Sequence, residues 1–271
     1  MIEKYFVMYR HKMAERTLQE EFMTPYLKQA QWAEVSELKR IIGEVYQQFN
    51  RPLKILDIGV GNARIPVLLS EVETWDKIKL YIGIDNSQKL ITLSRKIIKE
   101  RKLGTKVKII YFDGTKLQQK TSNKIFKHKY DLIICTYFTA GDFKPKEIKI
   151  AVGKDGLIVK YNQKFLKPNN NFVAVFKGAF KLLNLGGEII LGSTYIDNKN
   201  TRGRQEDFYR KCGMQVITSE NDSFVATKEG FWSQRFTKKI IYNYFSWIKK
   251  RNIKIIPLDD YNFAQMVVIS K

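Results

Sequence analysis

The sequence predicts an α/β fold, a largely parallel sheet wrapped by helices. Short apolar runs alternate with helical stretches from about residue 53 to 137, the rhythm of strands joined by helical crossovers. Three of those runs end on a carboxylate: Asp57, Asp85 and Asp113. The first of them, "ILDIGVGNAR" (55–64), closes on a turn with two spaced glycines that opens into a helix. With 271 residues, 44% of them hydrophobic, the chain is long enough to bury one large core.

Over the first 50 residues, Leu18, Phe22, Tyr26 and Leu27, then Val35, Leu38, Ile41, Ile42, Val45, Tyr46 and Phe49, recur three or four apart, which predicts two or three helices. Strands are predicted at 53–57, 80–85, 107–112 and 130–137, with a helix opening over 65–69 and another over 87–102. "IKIAVGKDGLIVKY" then reads as a hairpin around a Gly153–Gly156 turn. A helix near 172–183 and the strand "GGEIILGSTYI" resume the rhythm. "MQVITSENDSFVATKEG" suggests a second hairpin around Glu220–Ser223, followed by a helix over about 237–250. The chain closes on "IKIIPLDDYNFAQMVVISK", two strands joined by a polar turn, so the last pair is antiparallel. The expected organisation is a helical segment over 1–50 capping one domain over 51–271, with hairpin insertions near 145–165 and 214–228.

No run of about 18 apolar residues suggests a membrane span, and "MIEKYFVMYRHKMAERTLQEEF" is charged where a signal peptide would be apolar. A cytoplasmic protein is expected. Cys135 and Cys212 are too few for a disulfide framework or a Cys-rich metal site, and His11 and His128 suggest no metal site either. The formal charge of +21 invites a nucleic-acid reading through phosphate neutralisation. Lysines outnumber arginines about threefold and spread over the whole length, so a merely Lys-rich surface is an equal reading. The densest basic stretch, "KNTRGRQEDFYRKCG", gathers Lys199, Arg202, Arg204, Arg210 and Lys211.

In an open α/β sheet, ligands bind beyond the carboxyl ends of the strands, where the three carboxylates should cluster. Glycines at such a turn let the backbone approach a ligand, and the helix behind it presents free N–H groups. Asp85 stands 24 residues past Gly61, placed to accept ribose hydroxyls, and Asp113 is placed to read an exocyclic amine. Each acid alone has a local explanation: Asp57 tying its turn, Asp85 capping the next helix, Asp113 with Gly114 making an ordinary turn. On three consecutive strands beside a glycine turn, they point to a nucleoside.

"LDIGVGNAR", "YIGIDNS", "YFDG" and "YDLIICTYF" resemble the successive motifs of class I S-adenosylmethionine-dependent methyltransferases, over about residues 50–138. The terminal hairpin is similar to the family's reversed seventh strand. The resemblance implies a three-layer, Rossmann-like, seven-stranded sheet with an antiparallel last strand, and S-adenosylmethionine as cofactor. Asp57, Gly59 and Gly61 match the family's acidic glycine loop, with Ala63 in place of its third glycine. It further implies that Asp85 binds the ribose, that Asn86 lines the adenine pocket, that Asp113 with Gly114 faces the adenine amine, and that Thr136, between Cys135 and Tyr137, flanks the methyl donor. A dinucleotide is the rival cofactor. Against it, a carboxylate at Asp57 suits a cationic amino acid better than a pyrophosphate, and Arg64 stands where that motif needs a glycine.

Methyl transfer from a sulfonium is a single displacement that needs alignment more than proton chemistry. Cys135 lies in an apolar run with no neighbouring proline, which favours a core thiol over the nucleophile of a pyrimidine methyltransferase. "CTYFTAGDF" lacks the two prolines of the adenine methyltransferases. Candidates for a cation-friendly acceptor pocket are Tyr137, Phe138, Tyr195, Phe231, Trp232, Tyr26 and Trp32, each with core packing as its alternative role. The expected acceptor is a small molecule under a lid made by the two insertions. Methylation of RNA docked on the basic surface, and a module that binds S-adenosylmethionine without catalysis, are the alternatives; nothing in the sequence bears on oligomeric state.

Overall fold

The computed structural model describes residues 20–119, 126–144, 149–153, 156–160, 169–217, 223–229 and 231–271, with the backbone alone for 149–153 and 156–160. A single 25-residue helix, α1 (Pro25–Phe49), leads into the sheet. Thr24 caps it by accepting the Leu27 N–H (3.4 Å), Pro25 sits where a missing N–H costs nothing, and Asn50 ends it in left-handed backbone. Within the described part of the first 50 residues the spacing makes one continuous stripe, from Leu27 and Ala30 through Glu34, Leu38 and Ile41 to Val45, with no proline to interrupt it. Residues 1–19, Leu18 among them, lie outside the described residues.

Strands β1 (Leu53–Ile58), β2 (Ile78–Asp85), β3 (Val107–Tyr111) and β4 (Tyr130–Cys135) alternate with α2 (Arg64–Ser70) and α3 (Gln88–Glu100). The first insertion follows β4 as an antiparallel hairpin of β5 (Lys149–Gly153) and β6 (Gly156–Lys160), at the place the glycine turn predicts. Then come α4 (Asn170–Leu182), β7 (Leu183–Tyr195) and α5 (Lys199–Lys211). The second insertion pairs β8 (Phe224–Ala226) with β9 (Trp232–Gln234). Ahead of it Val216 bridges Thr227 antiparallel, the Ile217 N–H donating to the Ala226 carbonyl (3.0 Å) and the Lys228 N–H to the Gln215 carbonyl (2.9 Å), a pairing centred on the expected Glu220–Ser223 turn, whose tip at 218–222 lies outside the described residues. The chain finishes with α6 (Lys238–Tyr244), β10 (Ile253–Pro257) and β11 (Ala264–Ser270). Helix α6 is shorter than the sequence suggests because Trp247 turns back, its indole N–H donating to the Tyr244 carbonyl (3.2 Å).

The seven-stranded sheet runs β3-β2-β1-β4-β7-β11-β10, and β11 alone is antiparallel to its neighbours. Alternate strand residues face opposite layers, as the period of two requires. Ile55, Tyr81, Leu132, Ile134 and Ile190 pack with α1, α2, α3 and α5. Leu56, Ile84, Ile133, Cys135 and Ile189 pack with α4 and α6. The chain runs outward from β1 to β3 and returns to β4 on the other side of β1, so strand order reverses between β1 and β4. Among the described residues, no helix is long and apolar enough to cross a membrane and no group of His, Cys, Asp and Glu side chains could hold a metal ion.

Candidate active site

The carboxyl ends of β1, β2 and β4 meet where the strand order reverses, and a cavity opens there. Its empty space, open solvent included, comes to about 910 Å³. One end is the glycine loop with Asp85; the other is a wall of aromatic rings from the turn after β4, from β7 and from α5.

The loop takes its shape from left-handed backbone at Gly59 (φ +79°), Gly61 (φ +56°) and Ala63 (φ +62°). A side chain at Gly59 would meet the Thr139 methyl at 2.3 Å, so the loop lies directly against the turn after β4. At Gly61, by contrast, nothing but the loop's own Gly59 carbonyl comes within 4.0 Å, leaving a bare backbone face. Ala63 accepts the left-handed conformation despite its Cβ, at a cost of about 1 kcal/mol, and starts α2 without a side-chain cap. Gly59 and Val60 donate to the Ile84 carbonyl (2.8 and 3.0 Å), and Gly61 donates to Asp85 Oδ2 (3.1 Å). Asp85 Oδ1 accepts the Ser87 N–H (2.8 Å). Burial raises the Asp85 carboxyl above the ordinary range, against the pull of those backbone donors.

Asp57, only 1% exposed at the end of β1, accepts the Tyr81 hydroxyl on Oδ2 (2.6 Å), while its Oδ1 is buried with no hydrogen-bond partner. Burial pushes this carboxyl up to about 7; the Tyr81 bond and Arg64 act against that, and the nearby Asp85 and Glu34 add to it. Thr136 joins Gly59, Gly61 and Asp85 on the cavity wall. Asn86, Asp113 and Gly114 do not line it. Asn86 is exposed, Asp113 caps its own turn by accepting the Thr115 N–H and hydroxyl (3.0 and 2.8 Å), and Gly114 packs on Ile58.

Of the aromatic candidates, the wall holds Tyr137, Phe138, Tyr195 and Phe231, with Phe138 stacked on Tyr195 at 3.8 Å. Tyr26 instead lies under the Arg204 guanidinium (3.8 Å) and against Tyr261, lining a separate basic pocket with Arg210 and Lys211. Trp232 stacks on Phe224 (3.9 Å) in the second insertion, away from the cavity, and Trp32 is 73% exposed. Cys135 is fully buried at the end of β4, its thiol pushed well up by burial, which is the core role expected for it.

Four wall or support residues did not stand out from the sequence. Glu34, 0% exposed on α1, accepts the Tyr137 and Ser193 N–H groups on Oε1 (2.8 and 2.6 Å) and pairs through Oε2 with Arg64 (2.7 Å). Its signal was present: a carboxylate on the apolar stripe between Ala30 and Leu38. Arg64 lines the cavity beside Tyr137, 5.1 Å from the ring centre. Tyr209 of α5 hydrogen-bonds Tyr195 and lies 4.4 Å from Phe231 between ring centres; burial raises both phenols. Asp142 closes the short turn after β4 (Thr139–Asp142), and burial pushes its carboxyl well above the usual range, against the Ser233 side chain. Gly141 fixes that turn, because a Cβ there would meet the Gln234 carbonyl at 2.8 Å.

Tyr137 and Phe138 both have left-handed backbone (φ 51° and 61°), unusual for two consecutive bulky residues. Glu34 holds the first through its N–H, and the Ser193 carbonyl accepts the second (2.8 Å). These bonds aim both rings at the cavity.

The donor set fits a nucleoside carrying a cationic amino acid. Asp85 has the acceptors for ribose hydroxyls and Gly61 a bare backbone face; Asp57, outside the residues that line the cavity, has in Oδ1 a buried acceptor with no hydrogen-bond partner, suited to an ammonium.

Comparison with known proteins bears on this site. The chain resembles the plantazolicin methyltransferase BamL, solved with a triazolic desmethylPZN analogue and S-adenosylhomocysteine, at 14% identity with a TM-score of 0.53, covering 100% of this chain and 95% of that one. An S-adenosylmethionine-dependent methyltransferase from Clostridium acetobutylicum matches at 13% identity and TM-score 0.50, over 86% and 89% of the two chains. CalS10, an amino pentose methyltransferase from Micromonospora echinaspora solved with S-adenosylmethionine, matches at 9% identity and TM-score 0.50, over 88% and 92%. At these identities the likeness shows a shared fold. No curated protein matches in sequence. A family model described as a methyltransferase domain matches residues 50–246, from the approach to β1 through α6, and on that match this chain belongs to the methyltransferase domain family.

Proposed function

We propose that this methyltransferase moves a methyl group from S-adenosylmethionine to a small-molecule acceptor, in the cytoplasm. The observation that carries the reading is a single cavity with a nucleoside-type end, at the glycine loop and Asp85, continuous with an aromatic end that also bears Asp142. Asp85 would hold the ribose, Gly59 and Gly61 the close backbone approach, and Asp57, outside the lining, the cationic amino group; Asn86 and Asp113, which do not line the cavity, are assigned to the adenine on the family resemblance alone. The sulfonium supplies an activated methyl group, and the protein's part is alignment and exclusion of water. The expected cap over 1–50 is represented among the described residues by α1, and the insertions near 145–165 and 214–228, each in part outside the described residues, are our candidates for the acceptor lid. BamL, named for plantazolicin, and CalS10, named for an amino pentose, are consistent with a small acceptor on this fold. The buried thiols of Cys135 and Cys212 suit a reducing compartment.

Calorimetry with S-adenosylhomocysteine tests the cofactor. The expected dissociation constant is micromolar or tighter, weakening about 10- to 100-fold in Asp85→Ala, the 1–3 kcal/mol lost when ribose hydroxyls lose a buried acceptor. Tighter binding of NAD would reverse the assignment. Labelled methyl groups should then appear in a metabolite extract and not in RNA.

A further inference from the structure

The charge of this chain and the charge of its cavity have opposite sense. The formal net charge is +21, yet among the described residues lining the cavity Arg64 is the one cation, and it is already paired with the buried Glu34 (2.7 Å). The acids on the same wall are Asp85 and Asp142. Asp85 belongs to the ribose end, where the Gly61 and Ser87 N–H groups engage it. Asp142 belongs to the other end, in a turn that abuts the glycine loop through the contact of Thr139 with Gly59. Around it stand the rings of Phe138, Tyr195, Tyr209 and Phe231; the one cation among the described lining residues, Arg64, sits beside Tyr137 and is paired with Glu34.

We infer that the acceptor is a small primary or secondary amine, bound as its cation against Asp142 with its body among the rings of Tyr195, Tyr209 and Phe231. The inference rests on the methyl-transfer reading above and names its substrate class. A carboxylate with aromatic faces around it attracts an organic cation by charge and by the ring quadrupoles together. The same wall repels a phosphate or carboxylate, which would meet Asp142 without a free cation to offset it.

The chemistry balances without a further reactant. An Asp142 carboxyl oxygen takes one proton from the bound ammonium and passes it to solvent, which frees the nitrogen lone pair. That pair forms the new N–C bond as the donor's C–S bond breaks, its electrons remaining on sulfur, and the product leaves as a methylammonium.

Three probes of one shape test the inference: 2-phenylethylamine, 2-phenylethanol and phenylacetate, titrated by calorimetry into protein saturated with S-adenosylhomocysteine. The amine should bind at least tenfold tighter than the alcohol and the acid, and it alone should take up labelled methyl from S-adenosylmethionine. Asp142→Asn should lose at least tenfold in amine affinity, with alcohol affinity and melting temperature little changed. Tyr209→Phe, milder for folding, should weaken the amine two- to fivefold. Equal or tighter binding of the alcohol or the acid, binding of none of the three, or unchanged amine affinity in a folded Asp142→Asn protein overturns the amine assignment while leaving the cofactor reading intact. Failure of S-adenosylhomocysteine to bind the wild-type protein overturns the cofactor reading itself, and the amine assignment with it.

Discussion

Gly59 and Gly61 have the same backbone sign but opposite surroundings, so the same substitution should fail in two ways. In Gly59→Ala the new methyl meets Thr139, and the expected loss is about 2–4 kcal/mol of folding stability, left-handed strain plus overpacking. Gly61→Ala meets open space and should cost only about 1 kcal/mol, yet its methyl occupies the face the ligand needs and should weaken S-adenosylhomocysteine more than tenfold. Denaturant titration and calorimetry on both variants separate the effects. Asp57 gives a pH signature of its own. Its carboxyl is pushed up to about 7, so between the ordinary carboxylate range and about pH 7 the folded protein holds a proton that the unfolded chain has released. That contribution to stability is present at low pH and is lost as pH rises through about 7. A cationic ligand favours the ionised form, so affinity for S-adenosylhomocysteine should increase from pH 5.5 to 8. Asp57→Asn should flatten that profile, leaving the weaker dependence from Asp85.

At the scale of elements, α1 is tied to the catalytic face through one carboxylate. Glu34 joins α1 to the start of α2 through Arg64, to the strained Tyr137 backbone and to β7 at Ser193. Glu34→Ala leaves a partly buried guanidinium and two N–H groups unpartnered, and the expected cost is about 3–5 kcal/mol. Glu34→Gln keeps an oxygen for the two N–H groups and loses the ion pair. It should cost less stability while loosening Tyr137 and Phe138, which protein-observed NMR of the ring and amide signals would reveal. A Glu34→Gln protein with unchanged ring signals and ligand affinity would show α1 to be a passive cover. The elements themselves were legible to different degrees. Strands β1 to β4 and helix α3 were readable because each is a single pattern bounded by a turn or a cap, as with Ser87 before α3. The β8–β9 pairing, Phe224–Ala226 with Trp232–Gln234, was not legible because it joins short, fully buried runs that show no alternation. Glycine loop and Asp85 were visible as local motifs. Glu34 meets Tyr137 and Ser193 across 103 and 159 residues of sequence, and Asp142 meets Tyr195 and Tyr209 only after the sheet assembles, so local reading had no access to either.

For the whole molecule the question is where the charge of +21 is spent, since the cavity carries so little of it. At least two of the five cations in the sequence cluster that suggested a phosphate site have contacts within the protein. Arg210 pairs with Glu206 (2.7 Å) and Asp207 (3.2 Å), and Arg204 covers Tyr26. What remains is a Lys-rich exterior, which we propose attracts polyanions through counterion release without selecting among them. In a filter-binding titration, bulk tRNA should therefore associate at low salt and lose about 10- to 100-fold in affinity between 50 and 200 mM, the slope of two or three phosphate contacts. S-adenosylhomocysteine should not change that affinity, and neither should Gly61→Ala or Asp142→Asn, because the cavity and the exterior act independently. Transfer of labelled methyl to the RNA, or a sub-micromolar complex that survives 200 mM salt, would instead join the two surfaces into one site and make the acceptor a base in RNA.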